Sequence, residues 1–293
     1  MFASPSSGFS TRERVLGDRH NPRRCGPDWR PFRQTPGIAL CLLALQGICG
    51  AAEAPATPCP AIETRISRIA AIDDRLEILL ADGTKLRLYG VEPPASAEGA
   101  RVSADLRAWL GDHDLGTEFL STTVDRWGRR VARVFPTAEN RGGIALSVAE
   151  ALIDAGQARV RLEPGPVACL SKLLFLENKA RAEEAGLWAD PANAPIPASR
   201  REAFAERGGQ YVIVEGRVTG VGETATRLYL NFGPIRTVDF SVTMTKATIK
   251  ALTGFGVDPR ALTGVRMRVR GVLDLRFGPQ IEIVHPAAIE LMK

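Results

Sequence analysis

The chain has 293 residues, of which 45% are hydrophobic and 24% are charged, and these proportions exclude a disordered, collagen-like or low-complexity protein. Its formal net charge is +5, but residues 1–54 contribute seven arginines against four acidic residues. The remaining chain carries 31 basic and 29 acidic residues. Any binding of nucleic acid would therefore depend on a local basic patch rather than on the overall charge.

The amino-terminal segment has the layout of an export signal. Residues 37–52 form an uncharged run of sixteen residues, preceded by Arg30 and Arg33 and ending in small residues. A membrane-spanning helix needs about 20 apolar residues, so this run better suits the apolar part of a cleavable signal. We predict an export signal or amino-terminal lead at residues 1–54 and a periplasmic or secreted protein, attached to a membrane only if this segment stays uncleaved. A short buried helix is the alternative interpretation.

Two of the five cysteines, Cys59 and Cys169, lie in the predicted mature chain. Their spacing is not that of a CxxC pair, so they do not indicate a metal site. In an oxidising compartment they would form one disulfide that ties the first strand to a later helix. Two buried free thiols are the alternative.

Hydrophobic periodicity divides the mature chain into two β-rich domains. Residues 55–190 predict strands at 62–72, 76–80, 85–91, 117–123 and 130–135, and helices at 97–110, 144–155 and 169–185. The prolines within residues 191–207 predict a linker. Residues 208–293 predict five strands with one helix, at 246–252, between the third and fourth. This order favours a second small β-barrel of the OB-fold type, because an immunoglobulin-like sandwich would need about seven strands.

Five short motifs in the first domain follow one another in a characteristic order. They are Ile72-Asp73-Asp74, residues 86–94 (LRLYGVEPP), Asp125-Arg126-Trp127-Gly128-Arg129, residues 149–156 (AEALIDAG) and Gly186-Leu187-Trp188. Their order and spacing resemble those of the staphylococcal nuclease (thermonuclease) family over residues 62–190. The resemblance implies a five-stranded barrel with three helices, and hence a β-rich α+β chain. It also implies calcium-dependent cleavage of DNA and RNA phosphodiesters.

In that family two arginines bind the phosphate, and the matching residues here are Arg87 and Arg129. A guanidinium presents a planar fork of donors that suits a phosphate better than an ammonium does. A solvated arginine on a strand is the simpler interpretation of either residue alone. Because both occupy matching positions, we predict that they bind a phosphodiester of DNA or RNA together.

The carboxylates match the family less well. Asp74, or less favourably Asp73, corresponds to a metal-binding aspartate, and Glu92 corresponds to a second one. Arg75 would lie beside this metal site, and its positive charge would weaken calcium binding, so a calcium cofactor is doubtful.

The glutamate that orients the attacking water in the family is replaced by Ala95. Glu98 lies three residues later, although an acidic residue in a first helical turn is the simpler explanation of it. Because loss of a general base typically costs about 10²–10⁴ in rate, we predict an exported phosphodiester-binding protein whose nuclease activity is weak or lost. The alternative is a non-catalytic envelope module that binds a protein or polymer. No fingerprint for a nucleotide cofactor is present.

The second domain offers a candidate surface for single-stranded nucleic acid. OB-folds often bind single strands with stacking aromatic rings and basic side chains. Tyr229 and Phe232 are the predicted stacking residues, and the predicted basic groove comprises Arg227, Arg236, Arg266, Arg268, Arg270 and Arg276. Burial of Phe232 in the core and a plain solvated strand face for the arginines are the alternatives.

Overall fold

The computed structural model describes residues 59–137, 146–165 and 167–292, all within one compact unit that spans Ala54–Lys293. The predicted export signal therefore lies outside the described residues. Within the described part of the chain, no helix is both long enough and apolar enough to cross a membrane.

The first part of the structure is a closed five-stranded barrel with three helices. In chain order its elements are β1 (Glu63–Ile72), β2 (Ile78–Leu80), β3 (Lys85–Leu88), β4 (Val91–Glu92), α1 (Ser96–Leu110), β5 (Asp114–Phe119), β6 (Arg129–Pro136), α2 (Val148–Asp154), β7 (Arg159–Val160) and α3 (Ala168–Ala182). The order around the barrel is β1-β2-β3-β6-β5. This confirms the predicted β-rich α+β class with a five-stranded barrel, and its order is consistent with an OB-type barrel.

Strand β1 closes the barrel because it pairs with two neighbours in turn. Its residues Glu63 to Arg68 pair with β5, and Ile69, Ala71 and Ile72 pair with β2, with an irregularity between Ile69 and Ala71. Strands β3 and β6 pair in parallel. Alternate residues of these strands point inward and form the core, including Ile78, Leu80, Leu86, Leu88, Leu115, Phe119, Ala132 and Val134.

Two of the five sequence motifs, residues 149–156 and Gly186-Leu187-Trp188, have a local structural explanation. Ser147 and Glu150 form a reciprocal capping box at the start of α2. The turn after α2 passes so close to Gly186 that a Cβ on Gly156 would lie 2.1 Å from the carbonyl oxygen of Ala185. Both glycines also have positive φ angles. The motif Gly186-Leu187-Trp188 therefore follows from a close contact between two backbone segments.

Cys59 and Cys169 form a disulfide, as predicted. The bond joins the segment before β1 to the first turn of α3. It closes a loop of 110 residues, so it fixes the carboxy-terminal helix of the first barrel to the start of that barrel.

The second part of the structure consists of eight strands and helix α4. Its elements are β8 (Ile196–Pro197), β9 (Tyr211–Arg217), β10 (Gly220–Glu223), β11 (Arg227–Asn231), β12 (Ser241–Thr245), α4 (Lys246–Gly254), β13 (Arg266–Asp274), β14 (Gln280–Ile283) and β15 (Ile289–Leu291). The strand order is β10-β11-β12-β14-β13-β9-β8, and β15 also pairs with β13. The helix predicted between the third and fourth strand-like runs is α4.

Residues 191–207, predicted as a linker, pack onto the second part of the structure. They contain strand β8, which pairs in parallel with β9, and a short 3-10 helix at Arg201–Phe204. Phe204 is buried and stacks on Phe240 with ring centroids 5.4 Å apart. The connection between the two parts is therefore packed against the second part.

A buried ionic network connects the two parts. Arg270 on β13 and Glu177 on α3 have no exposed side-chain surface, and their charged atoms are 2.7 Å apart. Glu290 on β15 contacts the other terminal nitrogen of Arg270. Glu177 also accepts a hydrogen bond of 2.7 Å from the backbone N–H of Val160. Side chains of the first and second parts of the structure therefore meet in a contact that is buried from water.

Candidate functional site

A cleft of about 710 Å³ lies on the outer surface of the first barrel. It is lined by Asp73, Asp74, Arg75, Leu76, Glu77, Lys85, Arg87, Leu88, Val91, Glu92, Pro93, Pro94, Ala95, Trp127, Arg129 and Arg161. We call it the arginine cleft. Both predicted phosphate-binding arginines, all three predicted metal-binding carboxylates and Ala95 line it. The structure therefore brings together residues separated by more than 50 positions in the sequence.

The pairing of β3 with β6 explains why the two arginines share a face. Lys85 is in register with Arg129, and Arg87 is in register with Val131 two residues further on. Because side chains alternate along a strand, Lys85, Arg87 and Arg129 all lie on the outer face while Leu86 points into the core. The parallel register thus determines the cationic wall of the cleft.

Arg87 is held by a carboxylate that the motifs did not indicate. Its two terminal nitrogens donate to the two oxygens of Glu163, with Nη2–Oε2 at 3.0 Å. The Glu163 side chain is only 7% exposed, and that of Arg87 is 21% exposed. Such a bidentate pair orients the guanidinium strongly and neutralises its charge.

Arg129 is held by the turn that precedes it. The Asp125 carboxylate accepts hydrogen bonds from the backbone N–H groups of Trp127 and Arg129, at 2.9 and 3.0 Å, and from Arg129 Nε at 2.8 Å. Gly128 has a positive φ angle of 75°, which this tight turn requires. Glu77 contacts another nitrogen of Arg129. The turn motif therefore positions Arg129 and also surrounds it with acidic groups.

The hydrogen bonds around Asp125 have an electrostatic consequence. Partial desolvation favours its neutral form, but the hydrogen bonds from Arg129 and from the backbone N–H groups outweigh this effect. They lower the pKa of Asp125 to about 2. Asp125 is therefore ionised at neutral pH and remains a partner of Arg129.

Trp127 is the exposed aromatic ring of the cleft. Its side chain is 56% exposed, and the guanidinium carbons of Arg126 and Arg129 lie 3.9 and 4.5 Å from its ring centroid. Cations over an aromatic face are attracted to its π electrons. The ring therefore offers a planar apolar surface directly beside a phosphate-binding candidate.

Two of the three predicted metal-binding carboxylates, Asp73 and Glu92, are engaged by groups of the chain itself. Asp73 Oδ1 accepts hydrogen bonds from the backbone N–H groups of Arg75 and Glu77, at 2.9 and 2.8 Å, and so stabilises a turn. Glu92 pairs with Arg161 at 2.8 Å. Asp74 lines the cleft next to the cationic Arg75. No group of three or more His, Cys, Asp or Glu side chains that could hold a metal ion occurs in the described part of the chain.

Neither Ala95 nor Glu98 supplies a carboxylate to the cleft. Ala95 lies at the start of α1 and lines the cleft with a methyl group. Glu98 pairs with Arg101 on the same helix at 3.4 Å and is not among the lining residues. The acidic residue of the cleft wall closest to a predicted arginine is instead Glu77, through its contact with Arg129.

The arginine cleft is close to neutral in charge. Five basic residues line it, namely Arg75, Lys85, Arg87, Arg129 and Arg161, against four acidic residues, namely Asp73, Asp74, Glu77 and Glu92. Glu163 and Asp125 add two further carboxylates in direct contact with Arg87 and Arg129. A bound anion would therefore have to compete with carboxylates of the chain itself.

Only some of the residues predicted to bind single-stranded nucleic acid lie together on the surface of the second part. Tyr229 is half-buried, with the Arg236 guanidinium 4.5 Å from its ring centroid. It lines a small cleft of about 240 Å³ together with Phe277, which is 77% exposed. Phe232 is buried beside Phe240, which corrects its prediction as a stacking residue. No sequence pattern had indicated Phe277 as a residue of this cleft.

The predicted basic groove is not continuous. Arg270 is buried in the ionic network described above, and Arg268 pairs with Glu215 and Glu290 at 3.1 and 3.3 Å. The charges on β13 therefore stabilise the contact between the two parts of the structure. Arg227 and Arg276 do line the small cleft, where they pair with Glu282 and Asp274.

Sequence patterns gave a weak signal for Glu77 and none for Glu163. Glu77 precedes the buried Ile78, so strand alternation would have placed it on the outer face with Lys85 and Arg87. Glu163 lies 76 residues after Arg87, in a connection without a recognisable motif. Its contact with Arg87 depends on the tertiary fold.

Comparison with known proteins leaves the family of this chain open. No protein-family model matches it, and no curated protein matches it.

Proposed function

We propose that the protein is an exported, thermonuclease-like phosphodiester-binding protein with weak or lost nuclease activity. The observation that carries this proposal is the placement of Arg87 and Arg129 on one wall of a single cleft, beside Lys85 and the exposed ring of Trp127. Guanidinium groups suit a phosphate, and an aromatic ring suits an unstacked base. Nucleic acid is therefore the polymer that best fits this combination.

The replacement of a glutamate by Ala95 supports binding without efficient cleavage. Phosphoryl transfer needs a group that orients the attacking water as well as cations near the phosphate oxygens. In the arginine cleft, Glu77 and Asp125 are engaged with Arg129, and Glu92 is engaged with Arg161. These engagements occupy three of the carboxylates around the arginine cleft, and position 95 carries a methyl group in place of a carboxylate.

The strand pairing of the second part supports the proposal of a second OB-like barrel. Strands β9 and β10 follow one another closely, and they pair with β13 and β11 respectively. Strands β12 and β14 pair in parallel, as β3 and β6 do in the first barrel. With β9 and β10 taken as one bent strand, the order repeats that of the first barrel. We propose that residues 208–293 form this second domain.

The disulfide supports the proposed location. Disulfides persist in oxidising compartments such as the periplasm and the extracellular space. The Cys59–Cys169 bond and the signal-like segment before residue 55 therefore support a periplasmic or secreted protein.

A binding titration with fluorescence anisotropy tests the proposal. The full chain is titrated into labelled single-stranded and double-stranded DNA and RNA at two salt concentrations. Arg87→Ala or Arg129→Ala should weaken binding at least about tenfold, in line with the strength of charge-assisted hydrogen bonds. Lys85→Ala, at an exposed position of the same wall, should cause a smaller loss.

Arg68→Ala is the matched control, because Arg68 is a 63% exposed strand arginine paired with Asp114 away from the arginine cleft. Thermal unfolding of every variant separates loss of binding from loss of folding. Equal affinity of the wild type and all three cleft variants would refute the proposal.

A further inference from the structure

One segment of the chain contacts both the arginine cleft and the second part of the structure. Residues 161–165 follow β7, whose pairing with β4 anchors the start of this segment to the first barrel. The backbone N–H of Arg161 adds a hydrogen bond of 2.9 Å to the carbonyl oxygen of Gly90. Leu162 packs against the hydrophobic cores of both parts. We call residues 161–165 the bridging segment.

The bridging segment carries Glu163, the carboxylate that pairs with Arg87. The Glu163 side chain is 7% exposed, and its two oxygens meet the two terminal nitrogens of Arg87. Arg161 Nε lies 3.9 Å from one of these oxygens and is the more distant partner. Because the contact with Arg87 is bidentate, a shift of the backbone at position 163 would weaken both hydrogen bonds together. The placement of the bridging segment therefore controls how fully Arg87 is neutralised.

Tyr211 of the second part holds the bridging segment on the amino-terminal side of Glu163. It is the first residue of β9, and its hydroxyl oxygen accepts a hydrogen bond of 3.3 Å from the backbone N–H of Leu162. A strand that pairs along its length with β13 provides a rigid support for this hydroxyl. Removal of the hydroxyl would leave the Leu162 N–H without its acceptor within the described structure.

His285 of the second part holds the segment on the carboxy-terminal side of Glu163. Its side chain is buried, and its Nε2 atom lies 3.1 Å from the carbonyl oxygen of Gly165. Its Nδ1 atom accepts a hydrogen bond of 3.1 Å from the backbone N–H of Ala287. Because Nδ1 serves as an acceptor, the neutral ring carries its proton on Nε2. Nε2 therefore donates to Gly165.

The two hydrogen bonds flank Glu163 closely. One is made one residue before it and the other two residues after it. Within the described residues, these two side chains provide the hydrogen bonds to the backbone of residues 162–165, which belongs to no helix or strand. Fixing such a connection on both sides restricts its backbone. It thereby restricts the direction of the Glu163 side chain.

We propose that Tyr211 and His285 are positioning residues that hold Glu163 on Arg87, and that the second part of the structure thereby sets how strongly the arginine cleft binds a phosphate. The statement about phosphate rests on the proposed function, whereas the statement about Arg87 does not. Neither positioning residue lines the arginine cleft, so each acts through the bridging segment.

NMR of the ligand-free full chain tests the positioning. A bidentate partner hinders rotation of a guanidinium, so the wild type should show separate side-chain N–H signals for Arg87, assigned with Arg87→Lys. Tyr211→Phe removes one hydroxyl, and His285→Asn keeps an acceptor near the place of Nδ1 but loses the donor at Nε2. We expect the Arg87 signals to broaden or merge in both variants. His285→Gln, whose amide nitrogen reaches the place of Nε2, should restore them.

Isothermal titration calorimetry with a 5′-phosphorylated dinucleotide tests the consequence for binding. In Tyr211→Phe and His285→Asn the affinity should rise about two- to fivefold, less than in Glu163→Gln, because the carboxylate remains near Arg87. In a Glu163→Gln background the same two substitutions should change the affinity by less than about 1.5-fold, since no carboxylate is left to be positioned. This cycle separates positioning of Glu163 from a general loss of stability.

Thr219→Val is the matched control, because it removes a hydroxyl that donates to Asn231 of the second part and not to the bridging segment. Unchanged Arg87 signals in Tyr211→Phe and His285→Asn, Arg87 signals in His285→Gln that match those of His285→Asn, or an equal gain in affinity with and without Glu163 would overturn the proposal. A wild type that binds no dinucleotide would refute the proposed function, whereas altered Arg87 signals in the variants would still support the positioning of Arg87 by the second part.

Discussion

Arg87 and Glu163 form a bidentate ion pair in which an arginine of the cleft wall meets a carboxylate that is almost fully buried. The pair fixes the direction of the guanidinium. It also places an anion of the chain itself on the group proposed to bind a phosphate. The affinity of the cleft for anions should therefore be set by this internal competition.

Replacement of Glu163 by glutamine should raise the affinity of the arginine cleft for a 5′-phosphorylated dinucleotide. The substitution keeps the shape of the side chain and removes the negative charge, so we expect about a three- to tenfold gain, comparable to the worth of one charged hydrogen bond. Isothermal titration calorimetry measures the gain. Glu118→Gln is the control, since Glu118 pairs with Arg133 outside the lining of the cleft. A lower affinity of Glu163→Gln would show that Glu163 serves only to position Arg87.

Introduction of a carboxylate at position 95 should increase phosphodiester cleavage. Ala95 lines the arginine cleft, so Ala95→Glu would place an acidic group where it can orient a water molecule near Arg87 and Arg129. We expect the cleavage rate to rise about 10–100-fold over that of the wild type. This is at the low end of general-base effects, because the residues around position 95 are not arranged for catalysis. The measurement is release of a fluorophore from a labelled oligonucleotide with added calcium. Ala97→Glu, exposed on the same helix, should leave the rate unchanged.

The pKa of Asp125 should depend on Arg129. Because its pKa is lowered to about 2, the ionised carboxylate stabilises the fold fully above the ordinary aspartate pKa of 3.8, and this contribution is lost as the pH falls toward 2. An NMR titration of the Asp125 carboxyl carbon measures the pKa directly. In Arg129→Ala, we expect the pKa to rise toward 3.8. An unchanged pKa in that variant would mean that the backbone hydrogen bonds alone hold the carboxylate.

Breaking the buried pair between Arg270 and Glu177 should destabilise the protein strongly. Arg270→Met leaves Glu177 buried without its closest cation, and we expect a loss of about 3–5 kcal/mol in the free energy of unfolding. Urea denaturation followed by circular dichroism measures it. Arg227→Met removes an exposed ion pair with Glu282 and should cost no more than about 1 kcal/mol. Similar losses in both variants would show that the buried network adds little stability.

The sequence predicted the elements that depend on local patterns. Alternation located the strands that carry Arg87 and Arg129, and the Asp125–Gly128 turn follows from residues that favour turns. The disulfide was predicted because Cys59 and Cys169 are the two cysteines of a mature chain expected to enter an oxidising compartment. These features are encoded within a few residues or by chemistry that is specific to cysteine.

Features that depend on tertiary contacts were missed. No sequence pattern indicates that Glu163 contacts Arg87, or that Glu177 contacts Arg270, which was predicted to face a groove. Phe232 and Phe277 are both aromatic residues near turns, and only the packing around Phe240 shows which of them is buried. Within residues 191–207, predicted as a linker from local composition, only the tertiary structure shows that Phe204 stacks on Phe240.

A gel-shift and cleavage experiment on one labelled single-stranded oligonucleotide tests the central claim most directly. The full chain and its Arg87→Ala/Arg129→Ala variant are incubated with the oligonucleotide, with calcium or with a chelator, and bound and cut species are separated side by side. We predict that the wild type retards the oligonucleotide without appreciable cutting and that the variant, folded by circular dichroism, does not retard it. Equal retardation by both proteins, or rapid calcium-dependent cutting by the wild type, would contradict the account.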